Sequence, residues 1–165
     1  MGVMKYGCFM AVLDAIDWDV REPNPASCRA SIAPIAPRVL LADDQEEILL
    51  AIAAMLEEEF DIVGLAENGT QVLDLVLKRS PDVLVLDIFM PVMNGMETAT
   101  SLRASGCPVK VLFLTVIDDS DFVQSAISMG ALGYVLKPHL ATDLIPAIRA
   151  VLQGRLYVSP CMHWS

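Results

Sequence analysis

A short apolar run, Val83-Leu84-Val85-Leu86, constrains the fold of this chain more than any other feature of its sequence. Four consecutive apolar residues rich in Val and Leu are typical of a strand that is buried on both faces of a parallel sheet. Asp87 follows the run, and Pro91 and Asn94-Gly95 then predict a turn. Ligands of open parallel sheets bind at the carboxyl ends of the strands. Asp87 is therefore a candidate metal ligand or nucleophile, and the alternative is a solvated strand end.

Alternating strand and helix patterns surround this run and predict an α/β fold. Five β-α units with short connections favour a five-stranded parallel sheet with helices on both faces. The flavodoxin-like strand order 2-1-3-4-5 is one of two common solutions for such a sheet. Pro146 falls inside the last predicted helix, so we expect that helix to begin late or irregularly. The predicted strands are 39–42, 61–66, 83–86, 109–115 and 133–137, and the predicted helices are 45–59, 71–79, 94–104, 120–129 and 142–153.

The first 37 residues differ in pattern from the rest of the chain. Four prolines interrupt any regular structure after residue 22, so we predict a flexible N-terminal extension over residues 1–37 and assign it no chemistry. The alternating pattern places one domain at residues 38–158. Residues 159–165 are predicted to be a C-terminal tail or linker.

Composition excludes several classes of function. A formal net charge of −10, from 21 acidic and 11 basic residues, disfavours binding of nucleic acid by this chain alone. The four cysteines are scattered without metal-ligand spacing, which is typical of reduced thiols. No apolar run is long enough to span a membrane, and no signal-peptide pattern is present. These features predict a cytoplasmic protein without a membrane partner.

Polar side chains end the other predicted strands that lie near Asp87. Asp43 and Asp44 follow the first strand, which neighbours the third in the predicted order, so the three carboxylates should meet in one crevice. Three carboxylates repel one another unless a cation joins them, and Mg²⁺ prefers such oxygen ligands. Thr115 and Lys137 end the fourth and fifth strands at the same edge. A hydroxyl, an ammonium and a divalent ion around one carboxylate are what phosphoryl transfer to that carboxylate requires.

This pattern resembles the receiver domain of two-component response regulators. The resemblance covers about residues 38–160 and is highly specific, because its motifs lie at the ends of the predicted strands. The closing segment 154–160 and the segment 130–134 are most similar to the NarL/FixJ subfamily. The residues that carry the resemblance are Asp43-Asp44, Asp87, Met90-Pro91, Asn94-Gly95, Thr115 and Lys137-Pro138.

The resemblance implies a role for each residue of the site. Asp87 would be the phosphoacceptor. Asp43, Asp44 and Asp87, with the backbone carbonyl of Phe89, would hold Mg²⁺ directly or through water. Lys137 would pair with a phosphoryl oxygen.

Thr115 and Tyr134 would form the switch that reports phosphorylation. Thr115 would bond a second phosphoryl oxygen, and Tyr134 would turn inward when Thr115 is recruited. The resemblance also implies a cis peptide bond between Lys137 and Pro138. Val116 departs from the family pattern, because a small residue usually stands there and Val narrows access to the site.

The implied function is a signalling switch that catalyses only its own phosphorylation and dephosphorylation. Its phosphodonor would be a histidine kinase, and a homodimer formed on phosphorylation would be a second partner. In the NarL/FixJ subfamily a LuxR-type helix-turn-helix follows the closing segment, and this sequence ends at Ser165 without one. We therefore expect either the receiver of a transcription regulator or a stand-alone receiver that acts by protein–protein contacts.

Other functions remain open from the residues alone. A phosphohydrolase that forms an aspartyl-phosphate commonly needs a second acid two residues after the nucleophile, where this chain has Phe89. A flavin-binding module would need Ser, Thr and Gly in place of Asp43 and the residues after it. Asp43 and Asp44 could also merely open a helix, where acids favour the helix dipole. Lys137 could be a solvated strand end, and Tyr134 could be an ordinary core residue.

Overall fold

A computed structural model describes residues 35–162 of the chain. Residues 36–162 belong to one compact unit. Residues 1–34 of the predicted N-terminal extension lie outside the described residues. The strands are β1 (Arg38–Ala42), β2 (Asp61–Ala66), β3 (Val83–Leu86), β4 (Lys110–Thr115), β5 (Gly133–Leu136) and β6 (Tyr157–Val158). The α-helices are α1 (Glu46–Leu56), α2 (Gly69–Arg79), α3 (Gly95–Ala104), α4 (Ser120–Ser128) and α5 (Leu140–Leu152), and a 3₁₀ helix spans Lys137–His139.

The strands form a single parallel sheet in the order β2-β1-β3-β4-β5-β6. The predicted order 2-1-3-4-5 is confirmed for the first five strands, but the predicted number of five is wrong. Strand β6 adds to the free edge of β5, where Tyr157 N–H donates to Leu132 O at 2.9 Å and Ser159 N–H donates to Tyr134 O at 2.9 Å. A two-residue strand is too short to produce a periodic sequence signal, and only its pairing reveals it.

Helices cover both faces of the sheet, as predicted. Successive side chains of a strand point to opposite faces of the sheet, so each face has its own buried apolar cluster. One cluster joins the sheet to α1 and α5 through Leu49, Ile52 and Ile148 among others. The other joins it to α2, α3 and α4 and includes Val72 and Val123. Among residues 35–162 no helix combines the length and the apolar character that a membrane crossing requires.

The turn after β3 is fixed by a capped helix start. Asn94 Oδ1 accepts from Glu97 N–H at 2.9 Å, while Asn94 N–H donates to Glu97 Oε2 at 3.1 Å, so two unpaired backbone donors are satisfied at the start of α3. Gly95 N–H donates to Ile88 O at 2.9 Å and closes the loop. Asp87 N–H donates to Ala42 O at 2.8 Å. The N–H of Asp87 and the carbonyl of the next residue, Ile88, are thereby both fixed by backbone hydrogen bonds.

Of two expectations about the region after β5, one holds in part and the other is wrong. Helix α5 does not begin late, because it starts at Leu140 and continues through Pro146, but its start is irregular in that the 3₁₀ helix leads into it. The fixed φ of proline suits a helical backbone, but Pro146 lacks the N–H for one intrahelical hydrogen bond and its ring crowds the carbonyl four residues earlier. No peptide bond in residues 35–162 is cis, so the Lys137–Pro138 bond is trans. Pro138 instead occupies the first turn of the 3₁₀ helix, where its missing N–H has no intrahelical partner to lose.

The backbone of the loop after β3 leaves no room for a side chain at Gly95. A substitution there tests whether this close packing stabilises the domain. A Cβ atom at residue 95 would lie 2.1 Å from Asp87 O, a backbone atom that cannot yield without moving Asp87. We expect Gly95→Ala to lower the free energy of unfolding by about 3 kcal/mol in urea denaturation. Gly106→Ala is the control, because a Cβ there meets nothing within 4 Å and only its φ of +70° is unfavourable. That strain should cost about 1 kcal/mol, and equal losses in the two variants would contradict the steric argument.

Candidate functional site

Three carboxylates meet at the carboxyl ends of β1 and β3. Asp43, Asp44 and Asp87 each offer an oxygen, and these oxygens lie within 4.8 Å of one another. Asp43 and Asp87 are buried, with 1% and 4% of their surface exposed, whereas Asp44 is exposed. Asp43 Oδ1 accepts from Gln45 N–H at 3.0 Å at the start of α1. The crevice expected from the strand order is therefore present.

Lys137 places its ammonium between the two buried carboxylates. Its Nζ lies 2.6 Å from Asp43 Oδ2 and 3.0 Å from Asp87 Oδ2, and its side chain is 11% exposed. The contact with Asp87 is also a hydrogen bond. At 2.6 Å the Lys137 ammonium is also the partner of the buried Asp43 Oδ2. The site therefore contains three carboxylates and one ammonium group.

Burial and charge act in opposite directions on the two central groups. Burial raises the pKa of Asp87 above its ordinary value, and the charge of Asp43 adds to this, while the bond from Lys137 opposes it. Burial by itself would lower the pKa of Lys137, but the contacts with Asp43 and Asp87 outweigh it and raise that pKa. Lys137 is therefore firmly protonated, and the acidic cluster has a fixed cation on one side.

The donor set fits a hard divalent cation. Magnesium is bound in proteins by carboxylate oxygens and water, often with a phosphate. The three carboxylates outnumber the single ammonium of Lys137, which already lies between Asp43 and Asp87. Carboxylates packed together repel one another, and a divalent cation would relieve this repulsion. Because Asp44 is exposed, the cluster is open to solvent on that side.

Thr115 and Tyr134, the predicted switch residues, are linked through the backbone of Ile117. Ile117 N–H donates to Thr115 Oγ1 at 3.2 Å, and Tyr134 O–H donates to Ile117 O at 2.9 Å. Burial, followed by the charges of Asp119 and Asp118, raises the pKa of Tyr134, so its phenol stays protonated. Tyr134 is only 1% exposed and already points inward. The inward position expected after phosphorylation is thus already adopted here.

Large apolar side chains lie close in sequence to Asp87 and Thr115. Phe89 is 58% exposed two residues after Asp87, and Val116 is 62% exposed directly after Thr115. Ile117 is half-buried and packs against the core cluster that includes Tyr134. The expected metal contact of the Phe89 carbonyl stays a prediction, and so does the narrowed access expected from Val116.

Sequence reasoning missed a buried polar pair beside the site. Ser159 Oγ donates to Asp143 Oδ2 at 2.7 Å, and Ser159 and Asp143 are only 1% and 8% exposed. Ser159 was expected in a tail beyond the domain, but it packs against β5. An acid in the first turn of a helix suggests only a favourable dipole contact, so Asp143 gave no separate signal.

Comparisons with known proteins agree with this geometry. Residues 39–149 match the family model of the response regulator receiver domain. The chain is 36% identical over 124 residues to the transcriptional regulatory protein DesR of Bacillus subtilis, with 74% of this chain and 61% of DesR covered. It is 39% identical over 126 residues to the transcriptional regulatory protein DegU of Brevibacillus brevis, with 74% and 53% covered. The chain therefore spans little more than half the length of these relatives.

A shorter relative and a solved structure complete the comparison. The chemotaxis protein CheY of Halobacterium salinarum is 32% identical over 118 residues, which cover 72% of this chain and 98% of CheY. The crystal structure of a LuxR-family two-component response regulator from Aurantimonas sp. SI85-9A1 superposes with a TM-score of 0.72 at 28% identity. That match covers 76% of this chain and 91% of the other. With its parallel sheet, its acidic crevice and these relatives, the chain belongs to the receiver domain family of two-component response regulators.

Proposed function

We propose that this receiver domain is a phosphoacceptor switch that is phosphorylated on Asp87 by a histidine kinase. The observation that carries the proposal is the placement of the Lys137 ammonium 3.0 Å from Asp87 Oδ2 inside a cluster of three carboxylates. A nucleophilic carboxylate must stay ionised, and the charge on the transferred group must be neutralised. A fixed cation beside one buried carboxylate supports both requirements.

The residues divide the chemistry among themselves. An Asp87 oxygen forms a bond to phosphorus while the bond between phosphorus and the histidine nitrogen of the donor breaks. Lys137 stays charged throughout and neutralises a phosphoryl oxygen. Thr115 Oγ1 accepts from Ile117 N–H, so its hydroxyl hydrogen is available to a second phosphoryl oxygen. Positioning and electrostatic stabilisation account for most of catalysis in phosphoryl transfer.

Magnesium is the cofactor that the donor set supports. Asp43, Asp44 and Asp87 would hold it, with the backbone carbonyl of Phe89 as a further ligand. When bound, the ion neutralises charge on the crevice and on the phosphoryl oxygens. The residues themselves provide the rest: Asp43 keeps Lys137 in place, and Phe89 shields the mouth of the site.

The output of the switch follows from the linked residues Thr115 and Tyr134. A phosphoryl group adds about −1.5 to −2 charges, and drawing Thr115 toward it would disturb the bonds at Ile117. The names of the relatives DesR and DegU support a transcription regulator as the whole protein. We expect such a protein to form a homodimer on phosphorylation. CheY, which the chain covers almost fully, supports a stand-alone receiver instead. Either protein would work in the cytoplasm, and neither would be an enzyme acting on a separate substrate.

Phosphorylation can be tested by intact-mass measurement after incubation with acetyl phosphate. We expect one phosphoryl group per chain in the presence of Mg²⁺ and none when the ion is chelated. Asp87→Asn should remove the modification, because the amide is not a nucleophile of comparable strength. Asp74→Asn on α2 is the matched control, because this exposed carboxylate is only paired with Lys78 on the same helix. Stoichiometric uptake by Asp87→Asn would contradict the assignment.

Metal binding can be tested without phosphate. Titration of Mg²⁺ should show one site, and Asp44→Ala should weaken it by about tenfold or more because one of three carboxylates is lost. Asp44 is exposed, so its loss should leave the fold intact. Glu57→Ala, at the exposed end of α1, should not change the affinity. An unchanged titration curve for Asp44→Ala would exclude the proposed site.

The lifetime of the phosphoryl group should be long, because the side chains near the mouth cannot activate water. Hydrolysis needs a water in line with phosphorus, and Phe89 and Ile117 offer it no hydrogen bond. We expect Phe89→Asn to speed loss of phosphate, and adding Ile117→Glu to speed it further, by about tenfold for the pair. Release of phosphate from purified, phosphorylated protein measures this rate.

Two controls keep this test clear. Leu77→Asn replaces an apolar side chain that is 81% exposed on α2, remote from the mouth, and should leave the lifetime unchanged. Ile117 is half-buried, so Ile117→Glu costs some stability, and urea denaturation must show that the double variant is folded at the assay temperature. A folded double variant that loses phosphate no faster than the parent protein would refute the water-exclusion argument.

A further inference from the structure

The segment after α5 is built into the sheet beside the site. Strand β6 pairs with β5, and the chain then places Ser159 and Met162 in the interior, 1% and 7% exposed. Met162 joins the buried apolar cluster that contains Tyr134 and Leu136. We call residues 157–162 the strap.

Ser159 is the point at which the strap meets the loop that carries Lys137. Its Oγ accepts from Leu136 N–H at 3.1 Å and donates to Asp143 Oδ2 at 2.7 Å. Leu136 directly precedes Lys137, and Asp143 lies in the first turn of α5. One hydroxyl group therefore bonds to both ends of the segment 136–143.

Asp143 has partners that make it a firm anchor. Its Oδ2 accepts from Ser159, while its Oδ1 lies 2.8 Å from Thr142 Oγ1, whose single hydrogen is shared with His139 O at 3.1 Å. Ser159 therefore provides the firmer bond to this buried carboxylate. A carboxylate near a helix N-terminus is also stabilised by the helix dipole. Breaking a bond to a buried carboxylate is costly, so Ser159 has a strong preference for this position. Neither residue touches Asp87 or the acidic cluster by any described bond.

We infer that Ser159 and Asp143 are positioning residues, which act on phosphoryl transfer by holding the backbone that aims Lys137 at Asp87. This inference rests on the proposed function of Asp87. Lys137 Nζ stands at 3.0 Å from Asp87 Oδ2, and a displacement of about 1 Å can slow a reaction considerably. The strap thus contributes to positioning Lys137. A change that separates the strap from β5 also makes the position of the Lys137 side chain less fixed.

Phosphorylation kinetics with acetyl phosphate test the inference. Ser159→Ala removes the hydroxyl and should slow phosphorylation by roughly tenfold, while the affinity for Mg²⁺ stays within about twofold because its ligands are untouched. Asp143→Asn keeps an acceptor for Ser159 and should retain most of the rate. Ser105→Ala, at the end of α3, is the control, because that hydroxyl donates only to Leu102 O at 2.8 Å and lies outside the network.

A second background shows whether the effect passes through Lys137. In a Lys137→Ala protein, which is slow already, Ser159→Ala should cause no further loss of rate. Loss of the same factor in both backgrounds would mean general destabilisation and would overturn the inference, as would an unchanged rate in Ser159→Ala alone. Far-ultraviolet circular dichroism must show all variants folded.

A measurement that needs no phosphorylation separates this inference from the proposed function. Nuclear magnetic resonance of the Lys137 ammonium should show a lower order parameter in Ser159→Ala than in the parent protein and in Ser105→Ala. If the parent protein takes up no phosphate, the proposed function fails, and the order parameter still decides whether the strap holds Lys137. An unchanged order parameter would overturn the positioning role in either case.

Discussion

The contact of one ammonium with two buried carboxylates is the interaction on which the rest of this structure depends. Lys137 comes from the end of β5, whereas Asp43 and Asp87 come from the ends of β1 and β3, so the contact requires the complete sheet order. Burying these charges costs free energy that their attraction offsets, and removing the Lys137 ammonium would leave two buried carboxylates without a positive partner among residues 35–162. The charged cluster at the carboxyl ends of the strands therefore adds little net stability to the domain. Such a limited contribution to stability is common at functional sites.

Most of the fold and the members of the site could be predicted, because their signals are local. Val83–Leu86 and the other apolar runs fix the strands, and the right-handed crossovers leave few strand orders to choose from. Once the order is known, a polar residue at a strand end must lie at the ligand-binding edge. Asp43, Asp87 and Lys137 were found in this way, although nothing local in the sequence reveals that Lys137 contacts both acids.

The features that could not be predicted all depend on contacts between distant parts of the chain. Strand β6 has two residues and exists only because β5 offers it an open edge. The inward position of Tyr134 depends on a carbonyl group 17 residues earlier. Ser159 and Asp143 are 16 residues apart, and each taken alone suggests a surface residue. The trans bond at Lys137–Pro138 likewise follows from the 3₁₀ turn that the surrounding structure imposes.

Strand β6 also changes where this domain must be considered to end. The family match stops at residue 149, inside α5, yet the folded unit continues through Met162. A fragment cut at the family boundary would leave the N–H and C=O groups of β5 unpaired along an exposed sheet edge. Such an edge is a template for pairing with other chains, so the shortened domain would be prone to aggregate. The closing segment of this domain thus protects it from aggregation by covering the edge of β5.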